Sequence, residues 1–303
     1  MRGALLCLLS AAAFGTLGIF GTLASDAGAT VASTLLVRFA LAAAVFAVVV
    51  RLGGGWERLR RVPRRVVLTG LALGAAGYSL QSALYFTAIE RLDVSIVAML
   101  LYTYPVFVTV AAIALGRATP SVRTAAALAT ASVGLVLVLL AAGAGAFDLV
   151  GALLSLGAAL TYATYILVSD RVVGEVDPFA LALLVLTGAT ASFAVAGVVT
   201  GSLDFALPAE AWLWLVLLAL VSTVVAVSAF FAGLRRVGPS EAAILSTFEP
   251  VVTVVLASFV LSERLTPLQL AGGALVLAAV VLLQLPSRRR GRRAPARVAE
   301  APA

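Results

Sequence analysis

Glu249 stands in the middle of a long apolar run, AAILSTFEPVVTVVLASFVL (242–261), and Pro250 follows it at once. A carboxyl group at membrane depth is costly and normally faces a bundle interior or a water-filled cavity. There it can carry a proton, bind a substrate amine or sit in a static ion pair. Ser246, Glu249 and Thr253 fall at i, i+3 and i+7, so a continuous helix puts them on one face. Pro250 has no N–H for the carbonyl of Ser246, and Pro105 likewise frees that of Leu101. Such helices kink, and the freed carbonyl takes a substrate, a coupling ion or cavity water as partner, unless the proline only shapes packing.

Arg38 is the candidate cation. It lies seven residues into an apolar run that starts at Val31, about 10 Å below the surface at 1.5 Å per residue. Glu249 lies thirteen residues before Ser262, roughly 20 Å below the same surface. The gap is near the reach of two extended side chains. Arg38 therefore pairs with Glu249, snorkels outward or receives a substrate carboxylate. Polar stripes accompany the pair. Tyr78, Ser82 and Tyr85 share a face with Gln81 adjacent; Ser95, Met99, Tyr102 and Thr109 follow another; Thr161 and Tyr165 sit one turn apart beside Tyr162. They fit a mixed polar and aromatic cavity, or the Ser/Thr and small-residue contacts by which membrane helices pack, as Gly70 and Gly74 do.

The elements that must position these groups are membrane helices. Of 303 residues 62% are hydrophobic and 12% charged, and the mean hydropathy is +1.13. Ten apolar runs are long enough to span ~30 Å of hydrocarbon: 3–24, 31–50, 66–88, 94–115, 124–142, 149–168, 178–200, 211–234, 241–261 and 269–285. They are continuous rather than alternating, which predicts helices and not barrel strands. The first run is long for a secretory signal and recurs later in the chain, so it reads as the first span. All 21 basic residues are arginine. The segment 51–65 and the tail from 286 hold six each, and 116–123 and 235–240 two each. With ten spans these regions share one face with both termini, and the positive-inside rule makes that face cytoplasmic. The net charge of +7 is thus a topological signal that also attracts anionic lipid headgroups, and not a mark of nucleic-acid binding. The Arg-, Pro- and Ala-rich tail 286–303 reads as disordered.

The runs also repeat. YFTAIERLDVSIVAMLLYTYPVFVTV (85–110) aligns with FFAGLRRVGPSEAAILSTFEPVVTVV (230–255) at an offset of 145, matching Phe86 to Phe231, Arg91 to Arg236, Ser95 to Ser240 and Pro105 to Pro250. RATP (117–120) matches RLTP (264–267), and GALLCLLSAAAFGT (3–16) matches GALLSLGAALTYAT (151–164). Five spans per half mean that the second half enters from the opposite side. Residues 1–142 and 149–285 are then inverted-topology repeats, the construction of many alternating-access carriers.

These paired halves, the YFTAIERLDVSIVAML pattern before a mid-span proline, STFEPVVTVVLASFVLSERLTPLQLAGGALVLAAVVLL, and VRF (37–39) resemble the two-EamA-domain members of the drug/metabolite transporter superfamily. The resemblance spans residues 3–285. It departs in one place, where Gly116 replaces the acid found as Glu263 in the second half. It implies an all-α ten-helix carrier of small metabolites with no metal or organic cofactor, in the plasma membrane of a prokaryote. Export of amino acids, amines or drug-like compounds is the expected activity, with proton coupling through Glu249 if coupling exists. The chain has no histidine, no paired intramembrane aspartates and no phosphate-binding glycine loop, which disfavours an intramembrane enzyme. A sensor or scaffold would carry a soluble domain, whereas the longest loop is about fifteen residues. The single Cys7 excludes an internal disulfide.

Overall fold

The computed structural model describes residues 2–117, 121–140, 148–169 and 175–284; the basic tail lies outside them. Ten long helices cross the molecule: α1 (Arg2–Asp26), α2 (Val31–Leu52), α3 (Arg64–Ile89), α4 (Val94–Ala114), α5 (Val122–Leu140), α6 (Leu149–Ser169), α7 (Pro178–Thr200), α8 (Ala209–Val237), α9 (Pro239–Ser246 and Glu249–Val260) and α10 (Pro267–Gln284). Among the described residues nine pass as membrane spans by length and hydropathy, and α5 is apolar over Val122–Val138. Large apolar side chains such as Leu5, Val48, Val133, Val198 and Phe259 point outward, as a lipid-facing surface requires. A short helix, Gly55–Arg60, carries part of the first arginine cluster.

The helices follow the predicted runs to within a few residues, but five are not plain α-helices, α1 among them with a turn at Thr16 between Arg2–Gly15 and Leu17–Asp26. In α3, residues Leu73–Tyr78 wind as a π-segment, and in α8 Leu220–Val225 do the same, 147 positions later. Both mid-span prolines open a break. α4 stops at Leu101 and restarts at Tyr104, and α9 stops at Ser246 and restarts at Glu249, an offset of 145. These two pairs of distortions thus recur at matched positions of the halves, where function-bearing membrane helices commonly deviate, whereas the turn in α1 has no counterpart in the continuous α6.

Packing between halves obeys the same exchange. α2 lies against α7, α5 against α10 and α4 against α9, each helix meeting its own counterpart. α1 packs on α8 and α9, and in mirror fashion α6 packs on α3 and α4. The correspondence reaches single residues. A Cβ on Gly3 would meet Arg236 and Val237, and one on the matched Gly151 would meet Arg91 and Leu92. The matched pairs lie at opposite ends, so the repeats run in opposite directions.

Glycine sets the closest crossings. A Cβ on Gly74 would collide with the carbonyl of Val185, and one on Gly188 with that of Leu71, so α3 and α7 touch backbone to backbone. Gly134 and Gly272 meet in the same way between α5 and α10. Gly188→Ala is therefore expected to destabilise the protein by about 1–3 kcal/mol, since backbone must move to admit a methyl group. Gly157→Ala is the control: its new Cβ would sit 3.5 Å from its nearest neighbour, Leu84. Thermal unfolding of both variants in detergent checks the difference, and equal effects would contradict the crossing geometry.

Candidate functional site: a central cavity between the repeats

Seven of the predicted side chains, Arg38, Tyr78, Gln81, Tyr85, Tyr102, Tyr162 and Glu249, line one central cavity of about 100 Å³. It adjoins a cavity of about 340 Å³ that shares Tyr78, Tyr102, Tyr162 and Glu249. The larger one adds Tyr165, Ser246, Leu181 and Val185, and reaches Pro178, Phe230 and Gln284 at the end bearing the arginine-rich segments. Its volume falls at the lower end of small-molecule sites, roughly 300–1,000 Å³.

The π-segments place the cation. The one in α8 presents Thr223, whose Oγ1 accepts from Arg38 Nε at 3.0 Å. The one in α3 ends at Tyr78, whose hydroxyl lies 3.4 Å from Arg38 Nη2. The guanidinium carbon also sits 4.9 Å from the Phe39 ring centroid and 5.7 Å from that of Phe86, within cation–π range. Arg38 is only 2% exposed, so it does not snorkel. Nor does it pair with Glu249: among the described residues the ion pairs are Arg60–Glu57, Arg65–Glu175 and Arg91–Asp148. Both line the cavity wall without pairing.

Glu249 opens the second half of α9, immediately after the break. Its Oε2 lies 2.9 Å from the Tyr102 hydroxyl, which is also 3.0 Å from the carbonyl of Ser246. That carbonyl is the one Pro250 frees. Its partner is a tyrosine at the matched break of α4.

The break also alters the predicted face. Ser246 Oγ donates to Ala242 O at 2.9 Å, although the residue lines the larger cavity. Thr253 turns to α1, its hydroxyl donating to Gly15 O at 3.1 Å, and is a buried packing contact. In α4 the predicted stripe splits likewise. Tyr102 reaches the cavity, Met99 packs on Gly273 of α10, and Thr109 bonds Pro105 O of its own helix. Thr161 bonds Gly157 O, while Tyr162 and Tyr165 of the same helix face the cavity. Gly70 and Gly74 serve packing against α7, as their spacing implied.

Tyr104 and Thr223 are among the lining residues that escaped sequence reasoning. Tyr104 packs edge-on to Tyr102 and Tyr162, with centroids 5.8 and 4.7 Å apart. The YTYP string was its signal, because two tyrosines flank the break that Pro105 forces. Thr223 has no local signal, since its hydroxyl reaches Arg38 only through the extra residue of a π-turn.

At the end away from the arginine-rich segments α1 packs tightly on α3 and α4. Gly18 of α1 lies so near Val94 and the Tyr85 hydroxyl that a Cβ there would overlap both. A vestibule of about 710 Å³ at this end shares no lining residue with the central cavity, and a cavity of about 320 Å³ between them shares Phe86 with the central cavity and Thr22 and Glu90 with the vestibule. At the vestibule's floor Glu263, in the loop before α10, caps the start of α4. Its carboxylate accepts from the backbone N–H groups of Val94 and Ser95 at 2.7 and 3.0 Å and from Ser95 Oγ at 2.6 Å. Asp148 at the head of α6 accepts from Gly151 N–H at 2.9 Å and pairs with Arg91 at 3.2 Å. The Gly151 bond, then Arg91, holds its carboxyl below the usual range. Both contacts tie one repeat to the other at this end.

Known proteins share this architecture. A solved crystal structure of another protein superposes with a TM-score of 0.65 over 92% of this chain and 95% of its own, at 21% identity; this is likeness of fold. An uncharacterized transporter of Archaeoglobus fulgidus is 29% identical over 211 residues, 69% of this chain and 74% of that protein. The model of the EamA-like transporter family matches residues 1–140 and again 149–285, one match for each repeat. A ten-helix membrane protein in two inverted halves, matched by one transporter family on each half, belongs to the EamA-like transporter family.

Proposed function

We propose that this protein is a secondary carrier that exports small zwitterionic or amine-bearing metabolites, amino acids with apolar side chains foremost, by alternating access. One observation carries the reading. Arg38 and Glu249 line a single cavity with no ion pair between them, and tyrosines fill the wall. A buried guanidinium without a carboxylate is costly unless an anion joins it, and a buried carboxylate needs a cation or a proton. A zwitterion brings both at once. Its carboxylate fits Arg38, its ammonium fits Glu249, and an apolar side chain fits beside Leu181, Val185 and Tyr165 in the larger cavity.

The two repeats supply the motion. Inverted halves that exchange conformations move an opening from one face to the other around a fixed centre. The arginine-rich face belongs to the cytoplasm of a prokaryotic cell, beside anionic headgroups, so both termini are cytoplasmic. A cavity that reaches that face loads substrate from inside the cell.

The test is radiolabelled flux in proteoliposomes across a panel of amino acids, amines and lipophilic cations. Glu249→Gln keeps the shape of the side chain and removes its charge. It is expected to lower flux of amine-bearing solutes by roughly 30-fold or more, the consequence of ~2–5 kcal/mol for one partner of a buried charge pair. Protein yield should be unchanged. Full flux in Glu249→Gln removes the carboxylate from the site.

A further inference from the structure

The Tyr102 hydroxyl has one proton and two acceptors. It lies 2.9 Å from Glu249 Oε2 and 3.0 Å from the carbonyl of Ser246. A phenol donates one hydrogen bond and can accept others. When Glu249 is ionised, carboxylate and carbonyl compete for that single proton, and one is left short. When Glu249 is protonated, its O–H donates to Tyr102 Oη and Tyr102 donates to Ser246 O, so every group is satisfied. Pro250 makes the shortage real, because the helical N–H that would otherwise serve this carbonyl does not exist.

We infer that Tyr102 is a positioning residue that ties the ionisation of Glu249 to the break in α9, so that a proton and a substrate ammonium are alternative ways to satisfy the same two acceptors. The ammonium half of this statement rests on Glu249 being the amine-binding group; the proton half does not. An ammonium has three N–H donors, enough for the carboxylate and the carbonyl together. A bound amine therefore makes the proton redundant, and a bound proton fills the site that the amine needs. The carrier then exchanges one for the other, with the proton passing between Glu249 and water in the cavity that reaches the arginine-rich end. The break in α9 senses the exchange, since the Ser246 carbonyl gains or loses its donor at each step.

The other groups around Glu249 leave it as the one that titrates. Tyr102 and Tyr104 come from α4, Tyr78 and Tyr85 from α3, Tyr162 and Tyr165 from α6, and tyrosine ordinarily loses its proton only near pH ~10. Arg38 from α2 stays protonated at any ordinary pH. α1 turns Phe14 and Leu17 to the cavity, and α8 and α10 contribute the neutral Thr223 and Gln284.

The experiment places a nitroxide at the break, on Phe248→Cys in a Cys7→Ser chain, with the full protein in lipid. Phe248 is exposed, so a label is tolerated there. The parent is expected to change its spin-label line shape as pH passes from acid to alkaline. Glu249→Gln should abolish that response. Tyr102→Phe should abolish it too, while infrared absorption of the protonated carboxyl still comes and goes with pH. Pro250→Ala supplies the absent N–H and should also uncouple the line shape from pH with Tyr102 intact. A pH response retained in Tyr102→Phe, or absent in the parent, overturns the inference. Flux of labelled phenethylamine and L-phenylalanine is read on the same samples. Unaltered flux in Glu249→Gln beside a lost line-shape response would overturn the transport role of Glu249 and leave the relay standing.

Discussion

Replacing Arg38 with methionine is expected to cut transport of carboxylate-bearing solutes by about 30-fold or more while leaving the protein as stable as before, or more so. The two signs come from different reference states. In this fold the guanidinium is 2% exposed, and among the described residues its hydrogen-bond partners are Thr223 and Tyr78 and no carboxylate lies within ion-pair distance. Stripping water from such a charge costs several kcal/mol, and two neutral acceptors with two aromatic faces return only part of it. Methionine has a similar length and no charge, and buried ionic groups replaced by apolar ones of similar volume often leave a protein neutral to more stable by ~1–4 kcal/mol. In the loaded protein the balance reverses, because a substrate carboxylate loses a charge-assisted partner worth ~2–5 kcal/mol. Thermal unfolding and zwitterion flux, measured on the same preparation, separate the effects. A variant that loses stability and flux together would make Arg38 a structural residue. A simple amine should be spared relative to the zwitterion.

Glu263→Ala is expected to open the vestibule end by an order of magnitude or more. Each hydrogen bond to a charged group contributes ~1.5–3 kcal/mol, and this carboxylate makes three, two of them to backbone donors at the first turn of α4. Those donors regain water in the vestibule once the carboxylate is gone, so the net loss is nearer one such bond than three. One bond is still roughly a tenfold change in a two-state equilibrium. The repeat explains why the latch acts on one side. The position matched to Glu263 is Gly116, which has no side chain to cap α9. The position matched to Arg91 is Arg236, and it bonds its own helix at Ala232 O rather than an acid of the other repeat. Among the described residues the Glu263 and Arg91 contacts are thus not repeated at their mirror positions, where Arg65 and Glu175 form the ion pair between the repeats instead, and the larger cavity reaches that arginine-rich end. Reaction of an impermeant thiol reagent with a cavity cysteine from the outer face should rise in Glu263→Ala, and Gly116→Glu should slow reaction from the inner face. No change in either would leave the carboxylate a local cap without influence on access.

Much of this was legible in the residues themselves. Apolar runs fixed the helices, because no alternative hydrogen-bonds a backbone in hydrocarbon. The matches Gly3–Gly151 and Arg91–Arg236 exposed the repeat, and the structure turns them into equivalent contacts at opposite ends. Glu249, Tyr102 and Arg38 stood out because a polar or charged group inside such a run needs a partner. Most failures come from helices that are not continuous. Periodicity assumes an unbroken α-helix, so the Ser246–Glu249–Thr253 face dissolved where α9 stops and restarts, and Thr253 went to α1. The π-segments are equally silent in sequence, and with them the reach of Thr223 to Arg38. Glu263 read only as the acid of a loop signature that Gly116 leaves incomplete in the first half, since nothing local says that its carboxylate crosses to the other repeat.

Access to the shared centre from both faces is the central claim. Ser82 is small, buried and part of the cavity wall. In a Cys7→Ser chain carrying Ser82→Cys, the introduced thiol should react with a membrane-impermeant reagent both in intact cells and in inverted vesicles. L-Phenylalanine, as a representative zwitterion, should slow both reactions. Reaction from one face alone, unchanged by any member of the solute panel, would contradict a carrier that turns its cavity from one side of the membrane to the other.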